Sequence, residues 1–173
     1  MNQKPILTTQ RLTLIPLEQD DLTLLHETLT NPFVRKHLAD DKIISGEQAE
    51  DFLQTSARHF QQQGWGLWKL IVRADQSYAG LAGLWHFFEE AQPQLLYALL
   101  PEKTGQGYAT EASQAVMRYA FDQLRFSYLT ASCDVPNKAS IAVMQRLGMQ
   151  YCKEEVVDEK PLVFYQIQAT DFV

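Results

Sequence analysis

The chain has 173 residues, 46% hydrophobic and 21% charged, and its 15 Lys and Arg against 21 Asp and Glu leave a net charge of −6. That balance excludes a disordered chain and argues for a single domain spanning residues 1–173. The acidic total excludes a surface that grips nucleic acid by neutralising phosphates, and Cys133 and Cys152 are too few for a disulfide framework and lack metal-ligand spacing.

Residues 1–5 carry no apolar stretch of the kind a secretory leader needs, and the longest apolar run, 79–88, is far too short to span a bilayer. Free thiols and a cytoplasmic setting are the expectation, with no membrane and no metal. Residues 11–17 alternate apolar and polar side chains as a strand does. Residues 18–30 place Leu22, Leu25 and Leu29 at helical spacing and stop at Asn31-Pro32; a short helix around 34–38 is expected next. Ser45 with Gln48 forms a capping box that opens a helix ending at Gly64.

The pattern then turns to β-rich runs at 65–73, 78–88 and 94–100, joined by the turns 75–77 and 89–93, which suggests an antiparallel meander. Residues 104–124 carry Ala109, Ala112, Val116, Ala120 and Leu124 on one helical face. A strand at 128–134, a helix at 137–147 closed by Gly148, and strands at 151–157 and 162–168 around the turn 158–161 complete the chain. This order predicts an α/β domain: one twisted mixed sheet of about six to seven strands flanked by about four helices.

The stretch Leu99-Leu100-Pro101-Glu102-Lys103-Thr104-Gly105-Gln106-Gly107-Tyr108-Ala109-Thr110 carries the most chemistry. A strand ends, two glycines follow one residue apart, and a helix begins. Glycines let the main chain turn N–H groups toward one point, and the first helical turn adds its unpaired N–H groups and positive dipole end. Together these make a site for a pyrophosphate, with Ala109 small enough for close helix packing. Taken alone, the motif equally suits glycines that only shape a loop. A dinucleotide-binding unit fits poorly, because its acidic residue about 20 positions on would have to come from a βαβ unit, and Asp122 lies inside the helical pattern.

Three stretches together carry more. The opening T-x-R-L-x-L-x-P-L (residues 9–17), the LLPE…GQGYATEA run (99–112) and N-x-x-S…V-M-x-x-L-G-M (137–149) resemble the GNAT superfamily of acyl-CoA-dependent N-acetyltransferases. The likeness is closest to its Rim-type group, whose members acetylate ribosomal-protein N-termini. It implies a GNAT fold, its sheet splayed between the fourth and fifth strands, and acetyl-CoA as the acyl donor.

The resemblance also implies roles. The loop from Thr104 through Gly105, Gln106, Gly107, Tyr108 and Ala109 to Thr110 wraps the CoA pyrophosphate through main-chain N–H groups. The family's usual Gln or Arg is Thr104 here, so Lys103 or Lys138 is left to supply a cation, if either is more than a solvated side chain. Leu99 and Leu100 flank the pantetheine arm, and a main-chain N–H of the 98–100 stretch, with Leu99 the first choice, faces the thioester carbonyl. Asn137 contacts the cofactor arm or is a plain helix cap. Ser140 either donates to the departing sulfur or is small for packing.

Two departures stand out. Met144 takes the place of the family's proton-donating Tyr, and Gln94 that of the Rim-type Glu; Gln does not accept a proton at neutral pH. Glu89, Glu90 and His86 are the remaining candidates for a base. Trp65, Trp68, Trp85, Phe87 and Phe88 are expected mainly in the core, some of them lining an acceptor pocket. With no strong base in view, direct attack by an amine that is easily neutralised is expected, from a peptide or small-molecule acceptor on a monomer or homodimer. The competing expectations are a non-catalytic acyl-CoA-binding module on the same fold and, more weakly, a nucleotide-binding oxidoreductase.

Overall fold

In a computed structural model describing residues 4–173, the N-terminal alternation forms β2 (Leu12–Pro16), with Leu12 and Leu14 fully buried, preceded by a two-residue strand, β1 (Leu7–Thr8). Residues 1–3, where the leader-free reading of the N-terminus begins, lie outside the described residues. Helices α1 (Leu22–Thr30), α2 (Pro32–Leu38) and α3 (Gly46–Gln63) follow. Asn31 separates the first two and caps α2 by accepting from Phe33 N–H at 2.9 Å. The Ser45–Gln48 box is formed in both directions, and Gly64 closes α3 at φ +80°.

The meander is β3 (Leu67–Val72), β4 (Tyr78–Trp85) and β5 (Gln94–Leu99). A helix α4 (Tyr108–Asp122), strand β6 (Tyr128–Asp134), helix α5 (Lys138–Arg146) and the hairpin β7 (Gln150–Val157) and β8 (Lys160–Gln168) complete the fold. The strands form two hydrogen-bonded sheets, β1-β2-β3-β4-β5 and β6-β8-β7, with every pairing inside them antiparallel. The expected single mixed sheet is therefore divided, and the division falls between β5 and β6, the fourth and fifth of the expected strands. Five helices flank it where about four were expected. The final turn is tighter than 158–161: Asp158 and Glu159, at φ +49° and +66°, make a two-residue hairpin turn, and Pro161 pairs with Val156 on the strand itself.

One apolar cluster packs α4 and α5 on one face of the strands, and a second packs α1 and α3 on the other. β5 serves both, with Leu95 in the first and Leu96 in the second. Side chains bridge the division: Gln92 Nε2 donates to Tyr128 O at 2.9 Å, and Ser132 Oγ donates to Gln94 Oε1 at 2.7 Å. Among the described residues no helix is long and apolar enough to cross a membrane.

β4 approaches β5 most closely at Gly80, where φ is +145° and a Cβ would stand 2.1 Å from Ala98 O and 2.8 Å from Leu99 Cα. Gly80→Ala is therefore expected to lower the unfolding free energy by about 1–3 kcal/mol, the usual range for overpacking. Urea unfolding followed by circular dichroism measures this; an unchanged midpoint contradicts the close approach.

Candidate active site

The helix expected to begin at 104 begins at Tyr108, because Gly105 and Gly107 adopt φ +72° and +82° and hold the preceding loop open. Helices α2, α3 and α5 each carry a capping side chain; α4 has none, and neither has α1, which runs on directly from the 3-10 turn Gln19–Asp21. As a result the main-chain N–H groups of Gly105, Gln106, Gly107, Tyr108, Ala109 and Thr110 donate to no protein acceptor among the described residues, and the ladder starts with Glu111 N–H on Gly107 O at 3.0 Å. A Cβ at Gly105 would meet no atom within 4 Å. This is an open, uncapped helix start whose donors and dipole suit an anion.

The loop is held from behind. Glu111 Oε1 accepts from Thr9 Oγ1 at 2.6 Å and from Arg11 N–H at 2.8 Å, and its Oε2 accepts from Arg11 Nε at 2.6 Å. Arg11 Nη1 then donates to Gln106 O at 2.8 Å, and the guanidinium lies 4.7 Å from the centre of the Tyr108 ring. Burial alone would raise the Glu111 carboxyl, but the hydrogen bonds from Thr9 and Arg11 and the guanidinium charge together hold it below its ordinary range. The clasp ties the β1–β2 turn to the glycine loop across about a hundred residues of sequence.

From the loop, a groove of about 1470 Å³ runs into the division between β5 and β6. Leu100 N–H donates to Ala79 O at 2.9 Å beside the Gly80–Leu99 pair, so Leu99 sits at a non-hydrogen-bonded position and turns its N–H away from β4, toward the opening. On the α4–α5 side of the opening, Tyr97 Oη lies 2.7 Å from Ser140 Oγ. Burial pushes the Tyr97 phenol up, with the Ser140 bond only partly opposing it. Burial likewise pushes the neighbouring Cys133 thiol up to about 11. Both stay protonated at neutral pH. Asn137 Oδ1 accepts from Ser140 N–H at 3.1 Å, the capping role, while its side of the helix lines the groove.

The opposite side carries different chemistry. Gln94 is 1% exposed and bonded at both ends of its amide, its Nε2 donating to Glu90 Oε1 at 2.7 Å and its Oε1 accepting from Ser132. Two residues beyond Ser132, Asp134 Oδ2 lies 3.0 Å from His37 Nδ1, joining β6 to α2 at the groove wall. Lys160 Nζ donates to Asp40 at 2.8 Å and fastens the loop after α2 to β8.

The groove wall includes Leu99, Thr104, Gly105, Gly107, Ala109, Thr110, Asn137 and Ser140. The other expected residues point elsewhere. Leu100 commits its N–H to Ala79, Lys103 donates to Ser77 Oγ at 2.6 Å, Gln106 Nε2 donates to Glu102 O at 3.2 Å, and the Tyr108 ring is buried under Arg11. Glu89 is exposed and off the wall; Glu90, beside it, is the carboxylate tied to Gln94. His86 packs 5.4 Å from Trp65 and 6.1 Å from His59 rather than in the groove. Trp65 and Trp68 are core, and Phe87 and Phe88 line the groove. Met144 is fully buried. Tyr97, Arg11, Glu111, His37 and Asp134 are site residues that local pattern did not single out. Tyr97 enters only through the resemblance, as the first residue of the 97–100 stretch expected beside the pantetheine arm, with no role of its own; the His37–Asp134 pair spans 97 positions and leaves no local signature.

Residues 11–150 match the acetyltransferase (GNAT) domain model. The protein YkkB of Bacillus subtilis is 29% identical over 169 residues, covering 96% of this chain and 97% of that one. An N-acetyltransferase of the same organism, YnaD, is 24% identical over 83% of this chain and 82% of its own. Among solved structures, RimL, described as a ribosomal L7/L12 alpha-N-protein acetyltransferase in complex with coenzyme A, superposes with a TM-score of 0.78 at 20% identity, covering 95% of this chain and 98% of that one.

The Glu111 clasp has a pH signature. A carboxyl held below its ordinary value of 4.5 adds stability that is present above that value and is lost as the pH falls through the lowered one. Glu111→Gln should thus lower stability at pH 7 and flatten the fall in stability below about pH 4.5. Thermal melts across that range check this; parallel wild-type and variant curves contradict it.

Proposed function

Because the chain belongs to the GNAT acetyltransferase family, we propose that it uses acetyl-CoA to acetylate a primary amine, with a protein or peptide N-terminal α-amine as the acceptor class. The observation that carries this is the uncapped start of α4, whose six consecutive N–H donors from Gly105 to Thr110 lack protein partners among the described residues. A diphosphate supplies the acceptors that such an array requires, so the residues fit CoA. The solved relative RimL, named for N-terminal acetylation and bound to CoA, supports the same choice of donor and acceptor.

In this reading the N–H groups of Gly105 to Thr110 bind the diphosphate, and Thr104, Ala109 and Asn137 flank the CoA chain. Leu99 N–H, turned from β4, donates to the thioester oxygen as negative charge develops there. Ser140, backed by Tyr97, donates a proton to the departing sulfur, the task that buried Met144 does not perform. A thiol with a pKa of about 8.5 leaves readily, so one hydroxyl is enough. Cys133 borders the same space, yet burial keeps it a thiol. An acyl-cysteine route therefore lacks its nucleophile, and the amine attacks the thioester directly.

The acceptor preference follows from proton affinity. An α-amine with a pKa near 8 is about one-tenth neutral at pH 7, whereas a lysine near 10.4 is neutral in about one molecule in a few thousand. The gap is worth about 3 kcal/mol, much of what a general base contributes. Thiol release from acetyl-CoA at pH 7 should be at least about tenfold faster with a free-N-terminus peptide than with its N-terminally blocked, lysine-containing counterpart; the reverse order overturns the preference. Cys133→Ala should keep kcat within about threefold, and an inactive but folded variant would contradict direct attack. CoA binding with no thiol release for any amine would favour the non-catalytic module.

A further inference from the structure

The two sides of the β5–β6 opening divide the labour of the reaction, and the acceptor side needs a group that takes up a proton. Along β6, Leu129 and Ala131 face the α4–α5 cluster with Cys133 packed against it, so Ser132 and Asp134 face the other way. Along β5, Leu96 faces the α1–α3 cluster, and Gln94 shares its side. The side chains that serve sulfur and diphosphate therefore lie on one face, and an amine that attacks from the opposite face meets Gln94, Ser132, Asp134 and what α2 brings over them.

Most of those groups are already spoken for. Gln94 has no basic atom, and both ends of its amide are bonded. Glu90 has Oε1 on Gln94 and Oε2 on Phe88 N–H at 2.9 Å, with His86 Nδ1 at 3.7 Å. Glu89 is exposed and off the groove. His37 differs. Its Nδ1 lies 3.0 Å from Asp134 Oδ2, it lines the groove with 30% of its side chain exposed, and its Nε2 has no hydrogen-bond partner among the described residues. When Nδ1–H donates to the Asp134 carboxylate, the tautomer is fixed and the lone pair sits on Nε2.

We infer that His37, oriented by Asp134, is the base that takes the proton from the acceptor amine, an inference that rests on the acetyltransferase reading. Helix α2 is positioned for this by its Asn31 cap, by Arg35 Nε on Asp41 at 3.0 Å, and by the Lys160–Asp40 bridge that anchors the following loop to β8. Arg35, Lys36 and Asp41 are close to His37 along the chain, and Asp40, Asp134, Asp158 and Lys160 share the groove wall with it. Lys160 and Arg35 are paired with Asp40 and Asp41, which leaves Asp134 as the carboxylate in contact with His37 and Asp158 as a second one on the groove wall. Both carboxylates favour a cationic amine at the mouth of the groove.

The step balances. His37 Nε2 takes one proton from the ammonium, the freed nitrogen pair forms the N–C bond, and the C–S bond breaks with its electron pair on sulfur. The proton remaining in excess on nitrogen passes to that sulfur by way of Ser140 or solvent, and His37 releases its own to water. One ammonium and one thioester give one amide, one thiol and one proton.

The test compares wild type with His37→Gln, His37→Ala and Asp134→Asn, using acetyl-CoA and a free-N-terminus peptide. The expected result is a loss of about 100-fold in kcat/KM for both His37 variants, within the range for general-base removal. CoA affinity should stay unchanged, and the rate of the His37 variants should follow the neutral fraction of the amine as the pH is varied. Asp134→Asn should slow the reaction about tenfold. The His37 defect should shrink to within about threefold for trifluoroethylamine, an acceptor already neutral at the assay pH, and free imidazole should partly restore His37→Ala. His37→Gln within threefold of wild type overturns the inference, as does an equal defect for peptide and trifluoroethylamine, which marks a structural contact. A wild type that binds CoA but acetylates no amine overturns the acetyltransferase reading, and this inference with it.

Discussion

Helix α4 starts without a capping side chain, and that missing cap organises everything around it. In α3 the Ser45–Gln48 box satisfies the first turn from within the chain. In front of α4 the left-handed glycines at 105 and 107 swing the main chain outward, and six N–H groups are left without protein partners among the described residues. Such donors are poorly served by a protein that turns inward and well served by a ligand with many acceptor oxygens. The net charge of −6 works against anions at long range, so the selectivity is local and comes from main-chain geometry rather than from a field of basic side chains. Arg11 illustrates the point: its Nε, main-chain N–H and Nη1 are spent on Glu111 and Gln106, shaping the loop.

The second organising feature is the break between the two sheets. A continuous ladder would seal the strand edges, whereas here Gln92 and Ser132 bridge the strands through side chains and leave Leu99 N–H directed at the gap. Since neighbouring residues on a strand point to opposite faces, the gap brings two separate sets of side chains within reach of one reacting centre. Tyr97, Cys133 and Ser140 stand on one side; Gln94, Ser132, Asp134 and His37 stand on the other. In the proposed reaction, proton donation to sulfur and proton removal from nitrogen fall to these separate sets of side chains.

What could be read from the sequence was what local periodicity and fixed spacing encode. The helix starts at Ser45 and Asn137, the meander and the glycine loop rest on residues close in sequence, and each is where its pattern placed it; the site of the sheet break comes from the family resemblance and not from any local pattern. The boundaries that moved did so for local conformational reasons that composition does not express: positive φ at 105 and 107 delayed α4, and positive φ at 158 and 159 tightened the last turn. The contacts that escaped were those between remote segments. Arg11 with Glu111, Tyr97 with Ser140 and His37 with Asp134 each join residues tens of positions apart, and none carries a spacing rule. Lys103 shows the converse, a cation well placed along the chain whose side chain is captured by Ser77.

The claim most open to direct test is that the free amides at the start of α4 hold the diphosphate of CoA. Titration of the uniformly ¹⁵N-labelled protein with CoA, and separately with pantetheine, which shares the thiol arm and lacks the diphosphate, reads each amide individually. CoA is expected to produce its largest shifts at Gly105 to Thr110, and pantetheine to leave those amides in place. Saturation with CoA while the same amides stay unmoved would contradict it.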